Sequence, residues 1–186
     1  MDMTQWAPRL VLPVAEARDH VLGPRDAAAT LVEYGDYECP FCRAAFPVVE
    51  RVRAIMGPGL RFVFRHFPVT TAHPHAEDAA EAAEAAGAQG RFWEMHAMLF
   101  ENQPRFAPDD LLVYADSIGL DLRLFAEDLA GHVYAPRIRE DFMSGVRSGV
   151  NGTPTFFVNG VRHDAPWDAE TLLAALERAA EAHRAA

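Results

Sequence analysis

Thr30-Leu31-Val32-Glu33-Tyr34-Gly35-Asp36-Tyr37-Glu38-Cys39-Pro40-Phe41-Cys42 runs from a β-rich segment through a turn into the only two cysteines of the chain. Residues 30–34 read as a buried strand carrying one acid, bounded by Gly35-Asp36. A helix is predicted next. From Phe41 to about Met56, Phe46, Val49, Val52 and Ile55 recur at helical spacing, Pro47 kinks the run and Gly57-Pro58-Gly59 ends it. The cysteines therefore open a helix, where unpaired N–H groups and about half a positive charge favour the thiolate that attacks disulfides. Positions i and i+3 lie one turn apart, with Cβ atoms roughly 5–6 Å apart, near enough to close an S–S bond. A reactive dithiol is the leading reading.

Two other readings are weaker. As a staple, so short a loop removes little unfolded-state entropy. As a zinc half-site, the pair needs two more ligands from the eight histidines, and no His-x(3 to 5)-His spacing occurs; His73 and His75 flank Pro74. No metal is expected.

Downstream of the motif, Leu60, Phe62, Phe64 and His66 alternate with Arg61, Val63, Arg65 and Phe67, so a second strand should end before Pro68. Helical patterns fill the next eighty or so residues. Residues 76–86 are mostly Ala and Glu, and Glu77, Glu81 and Glu84 are expected to form a solvated face. Phe92, Met95, Leu99 and Phe100, with Trp93 and His96 alongside, make a core stripe. Asp109 or Asp110, and Asp121, are expected N-caps; Gly119 and Gly131 are expected stops. A further helix with Ile138, Phe142 and Val146 inward reaches Gly149. Thr155-Phe156-Phe157-Val158, Asn159-Gly160 and Val161-Arg162-His163 then give a hairpin whose two-residue turn needs positive φ twice. A last helix is capped by Asp168 and buries Leu172, Leu173, Leu176 and Ala180.

The chain has 186 residues, half of them apolar, enough for a core that does not depend on cross-links. Its net charge of −10 argues against a nucleic-acid or anionic-membrane partner held by a basic surface. Residues 10–17 fall short of a signal-peptide pattern and no stretch resembles a membrane span, so the chain as given is expected in the cytoplasm. A periplasmic or extracytoplasmic location is the alternative if an export signal precedes it.

Three further features resemble the thioredoxin fold. Glu33 lies six residues before Cys39, Pro47 lies eight after it, and Gly152-Thr153-Pro154-Thr155 places a proline at the start of the hairpin. The helical block and the segments Phe64-Arg65-His66-Phe67-Pro68, His73-Pro74, Gln89-Gly90-Arg91-Phe92-Trp93-Glu94-Met95-His96 and Ser148-Gly149-Val150-Asn151-Gly152-Thr153-Pro154 resemble the DsbA-like branch, which is often fused to or found beside bacterial membrane and redox proteins. The resemblance covers about residues 29–178. It implies an α/β thioredoxin-like fold with an all-helical subdomain inserted between the second core strand and the cis-proline hairpin. The corresponding parts are an N-terminal extension with a candidate edge strand (1–29), the core (30–68 and 150–186) and the inserted subdomain (69–149).

That resemblance implies a thiol-disulfide oxidoreductase acting on thiols or disulfides of protein substrates, with a redox partner protein or glutathione to recycle it. No cofactor beyond the Cys39–Cys42 disulfide is needed. Cys39, nearest the helix terminus, is the expected exposed nucleophile, and Cys42 the resolving thiol. Glu33 is the candidate proton acceptor for Cys42; Thr153, Pro154, Pro40 and Phe41 are expected to meet substrate. Asp36 and Glu38 oppose thiolate formation and Arg43 offsets them. Strongly oxidising members carry histidine where this chain has Phe41, and Thr153 before the proline looks more like the isomerases; both argue against an extreme potential. The rival functions are a glutathione-dependent transferase or isomerase of the same superfamily, disfavoured by the intact cysteine pair, and a redox-silent binding module.

Overall fold

The structure, a computed structural model, describes residues 8–185. Its sheet has five strands in the order β1-β3-β2-β4-β5. Central β2 (Ala29–Gly35) runs parallel to β3 (Leu60–His66). The crossover between them is α1 (Pro40–Met56), followed by a 3-10 turn at Gly57–Gly59. β4 (Thr155–Val158) pairs antiparallel with β2 and turns back into β5 (Val161–His163). Asn159 and Gly160 both take positive φ, as a two-residue hairpin requires. At the other edge, β1 (His20–Leu22) lies antiparallel to β3. The segment before it reaches the far edge as well, through a bridge between Arg9 and Val161. Residues 1–7 of the N-terminal extension lie outside the described residues.

Alternation along β2 decides what sits beneath the redox motif. Leu31 packs in a core with Phe62, Phe64, α1 and α7 (Ala169–Arg184), whereas Val32 and Tyr34 pack on the opposite face with Val63, Phe67 and Phe157. Glu33 shares the face of Leu31. It lies between Phe64 and Phe156 of the neighbouring strands. Both faces of β3 are covered, so its alternating pattern leaves no solvated side. Arg65 is fully buried and forms a two-pronged pair with Asp19 (2.9 and 3.1 Å), completed by the Leu12 carbonyl and the Tyr34 hydroxyl. A buried charge survives only with such complete partnering.

Between β3 and β4 lie α2 (Ala76–Ala88), α3 (Phe92–Glu101), α4 (Pro108–Ser117), α5 (Leu122–Ala130) and α6 (Ala135–Arg147). None of the described helices is long and apolar enough to cross a membrane. The stripe on α3 is core, as its spacing suggests, and Asp121 and Asp168 cap α5 and α7. Gly119 follows α4 with φ +76°.

Several expectations are corrected. On α2, Glu77 is exposed but Glu81 and Glu84 are buried, because a helix rich in alanine packs close to its neighbours and histidines receive both acids. Glu84 bridges His66 (2.8 Å) and His20 (3.0 Å), and Glu81 meets His132 (2.9 Å). Burial opposes the Glu84 charge, yet the hydrogen bonds from His20 and His66 outweigh it and hold this carboxyl far below the usual carboxylate range. Neither Asp109 nor Asp110 caps α4. The cap is Ala107, because Pro108 occupies the first helical position, where a missing N–H costs nothing, and the two acids fill the first turn. Gly131 ends α5 at negative φ, and His132 takes the left-handed conformation instead. Val146 and Ile55 are exposed: α6 turns Ile138, Asp141, Ser144 and Gly145 inward, and α1 turns Val49 and Val52.

Candidate active site

Cys39 is the N-cap of α1 and Pro40 its first residue, so the preset φ of proline starts the helix directly after the nucleophile candidate. The first turn carries no acidic side chain, which leaves the positive end of the helix dipole unopposed there. Both cysteines are free thiols. The Asp36 backbone N–H donates to the Cys42 sulfur (3.4 Å), and the Asp36 carbonyl accepts from Cys39 N–H (3.1 Å). From the other end of the chain the Thr153 carbonyl lies 3.4 Å from Cys39 Sγ. The Thr153–Pro154 peptide is cis. The Thr153 carbonyl is thus placed against the first thiol, with Pro154 next in the chain, while Pro40 and Phe41, 64 % exposed, follow Cys39 at the head of α1.

One expectation fails in part: Cys39 is only 4 % exposed and Cys42 is fully buried. The Thr153 loop covers the first sulfur. What separates the two thiols is acidity rather than exposure. A hydrogen bond from the Cys42 thiol, above burial, which opposes it, and hydrogen bonds from the Thr153 side chain and the Cys42 and Phe41 backbone bring Cys39 down to about 5. Burial, its bond to Cys39 and the charges of Glu33 and Cys39 push Cys42 well above an ordinary thiol. Glu33 is buried, one carboxylate oxygen has no hydrogen-bond partner, and desolvation followed by the Cys39 charge raises it to about 8. It is a neutral acid at pH 7, coupled electrically to both sulfurs.

Three contributors to the site were not read from sequence. Asp36, expected only as a nearby negative charge, is the hub of the turn. Its carboxylate accepts from Glu38 N–H, Val69 N–H (both 2.8 Å) and His73 Nδ1 (2.7 Å). Gln103, in the loop between α3 and α4, donates from Nε2 to the carbonyls of Tyr37 (2.5 Å) and Cys39 (3.1 Å). Tyr37 stacks into the aromatic core and bonds His96 Nδ1 (3.0 Å). No motif marks Gln103, since its partners are backbone atoms more than sixty residues away. Arg43 forms no ion pair with Asp36 or Glu38; its guanidinium donates to the Gln103 carbonyl (3.4 Å). Among the described residues no three His, Cys, Asp or Glu side chains converge on a metal-binding arrangement.

Gln103→Ala should leave two buried carbonyls short of a donor. We expect a loss of about 1–3 kcal/mol in urea unfolding, together with slower reaction of Cys39 with an alkylating agent as the turn loosens.

A family model described as Thioredoxin matches residues 15–178. The chain belongs to the thioredoxin family. Its fold is that of the DsbA-like branch. Oxidised BdbD from Bacillus subtilis superposes with a TM-score of 0.83 at 24 % identity, covering 94 % of this chain and 97 % of that one. Wolbachia pipientis alpha-DsbA1 gives 0.78 at 18 % identity over 95 % and 96 %. Among curated proteins, Na(+)/H(+) antiporter NhaA 1 of Salinispora arenicola is 51 % identical over 170 residues, 91 % of this chain but 26 % of that protein. The chain spans about a quarter of the length of the curated relatives it matches.

Proposed function

We propose that this DsbA-like thioredoxin-family chain exchanges disulfides with protein substrates through Cys39 and Cys42. The observation that carries the reading is the placement of two free thiols one helical turn apart, Cys39 at the N-cap of α1 with its sulfur 3.4 Å from the Thr153 carbonyl of the cis-proline loop, and Cys42 fully buried behind it. This placement lowers Cys39 to about 5 and raises Cys42, favouring a thiolate at the first and a thiol at the second. The Cys39 thiolate attacks one sulfur of a substrate disulfide, forming a mixed disulfide and expelling the other sulfur as thiolate. Cys42 then loses its proton and attacks Cys39, releasing the second substrate thiol and leaving the Cys39–Cys42 disulfide. Run backwards, the sequence oxidises a substrate dithiol. With its pKa near 8, Glu33 is ionised in a minor fraction of molecules at neutral pH, and that carboxylate is the form that can take the Cys42 proton during the second attack.

Direction follows from the same acidity. A stabilised thiolate favours the reduced enzyme and makes its disulfide the stronger oxidant. Thioredoxin, with its thiol near 7, sits at about −270 mV, and DsbA, near 3.5, at about −120 mV. A Cys39 near 5 therefore points to a couple between them, fit to oxidise or isomerise. Equilibration with glutathione buffers and quantification of the Cys39–Cys42 disulfide tests this. A potential at or below about −260 mV would make the protein a reductant instead. The curated relatives are named as antiporters; the thiol chemistry proposed here concerns the stretch shared with them.

A further inference from the structure

The redox centre carries an excess of negative charge that its own helix does not answer. Asp36 is buried beneath the turn, Glu38 follows two residues later, and Cys39 adds a third negative charge as thiolate. Phe41 brings no charge, and Arg43 directs its guanidinium to the Gln103 carbonyl rather than to either carboxylate. The cation that reaches this cluster comes from outside it. His73, in the loop between β3 and α2, places Nδ1 2.7 Å from Asp36 Oδ2, while the neighbouring Val69 and His75 N–H groups bind Asp36 and Glu38. Its side chain is 20 % exposed, so its other nitrogen is not sealed from water.

Resting on the disulfide-exchange reading, we propose that His73 is a positioning residue for the reaction: its imidazolium, held on Asp36, offsets the acids of the turn and thereby sets the thiolate character of Cys39 and the oxidising strength of the couple. The groups that face His73 are Asp36 and Glu38 from the turn and Cys39 from the head of α1. Burial opposes charging of the imidazole, but the bond to Asp36 and the three negative groups outweigh it and raise its pKa. The connection to the sulfurs runs through one residue. Asp36 holds His73 by its side chain, Cys42 by its N–H and Cys39 by its carbonyl. Charge on the imidazole therefore acts where both thiols are fixed.

The test separates charge from hydrogen bonding. His73→Asn keeps an N–H donor where Nδ1 stands and removes the charge; His73→Lys keeps a charge without the ring. The Cys39 titration is followed by the ultraviolet absorbance of its thiolate, and the potential by glutathione equilibration. In His73→Asn we expect the Cys39 pKa to rise by about one unit, a tenfold loss of thiolate at acidic pH. The potential should become more negative by the matching amount, about 30 mV. His73→Lys should recover most of both. Wild-type values in His73→Asn overturn the proposal, and so does equal impairment in Asn and Lys variants, which would mean a steric role only. A wild-type Cys39 that titrates like an ordinary thiol overturns the exchange reading as well, whereas an acidic wild-type Cys39 unchanged in His73→Asn overturns the role of His73 alone.

Discussion

Cys39→Ser is expected to abolish disulfide exchange, by more than about a thousandfold, while Cys42→Ser still attacks substrate and stops at the mixed disulfide. The asymmetry rests on the two proton affinities. With Cys39 near 5, about 99 % of it is thiolate at pH 7, and Cys42 remains a thiol. A hydroxyl at position 39 cannot ionise in this range, so neither the helix terminus nor the Thr153 contact has an anion to stabilise. A serine at position 42 removes only the group that releases the substrate, so intermediates accumulate on Cys39. Non-reducing electrophoresis with a disulfide-bonded protein substrate should show adducts with Cys42→Ser and none with Cys39→Ser. Alkylation at pH 6 should label Cys39 selectively in the wild type. Equal trapping by the two variants would reverse the assignment of roles.

The parts of this site that were legible in the sequence are those made by local chemistry. A strand, a turn and the start of a periodic helix placed Cys39 and Cys42, because each signal lies within a few residues of the structure it makes. Glu33 was legible through the resemblance, by its place six residues before Cys39, and the two-residue period of β2 then puts it on the face of Leu31. What was not legible depends on partners far away in the chain. Glu81 and Glu84 look like surface residues of an alanine-rich helix until His132, His20 and His66 are brought to them from separate segments. Gln103 serves backbone atoms, which leave no trace in composition. Ile55 and Val146 obey helical spacing but lie where no neighbouring element covers them. Periodicity gives the direction of a face and says nothing of how wide its cover is. His73 stood in the sequence as a residue at the head of an alanine helix and as a zinc candidate without the right spacing, and its pairing with Asp36 is a tertiary fact.

Glu33→Gln should make the reduced protein more stable above neutrality and leave it unchanged in acid. Folded Glu33 holds its proton up to about 8, whereas a carboxyl in the unfolded chain releases it near 4.5. Between these values the native state binds more protons than the unfolded state, so this residue makes stability fall as pH rises, at up to about 1.4 kcal/mol per unit. Below 4.5 both states are protonated and the contribution is flat; above 8 both are ionised and it is flat again. By pH 7.5 the accumulated loss reaches about 3–4 kcal/mol. Glutamine has nearly the same shape and never bears that charge, so urea unfolding at pH 7.5 should show a gain of about 2–4 kcal/mol over the wild type, shrinking to nothing near pH 4. The Cys39 charge is the second cause of the raised Glu33 pKa, after burial. Oxidation to the disulfide removes that charge, so the gain should be smaller in the oxidised protein. The same substitution should slow release of the mixed disulfide, since glutamine cannot take the Cys42 proton. A stability difference independent of pH from 4 to 8 would mean that Glu33 titrates in the fold as it does in the unfolded chain, so that burial does not hold its proton.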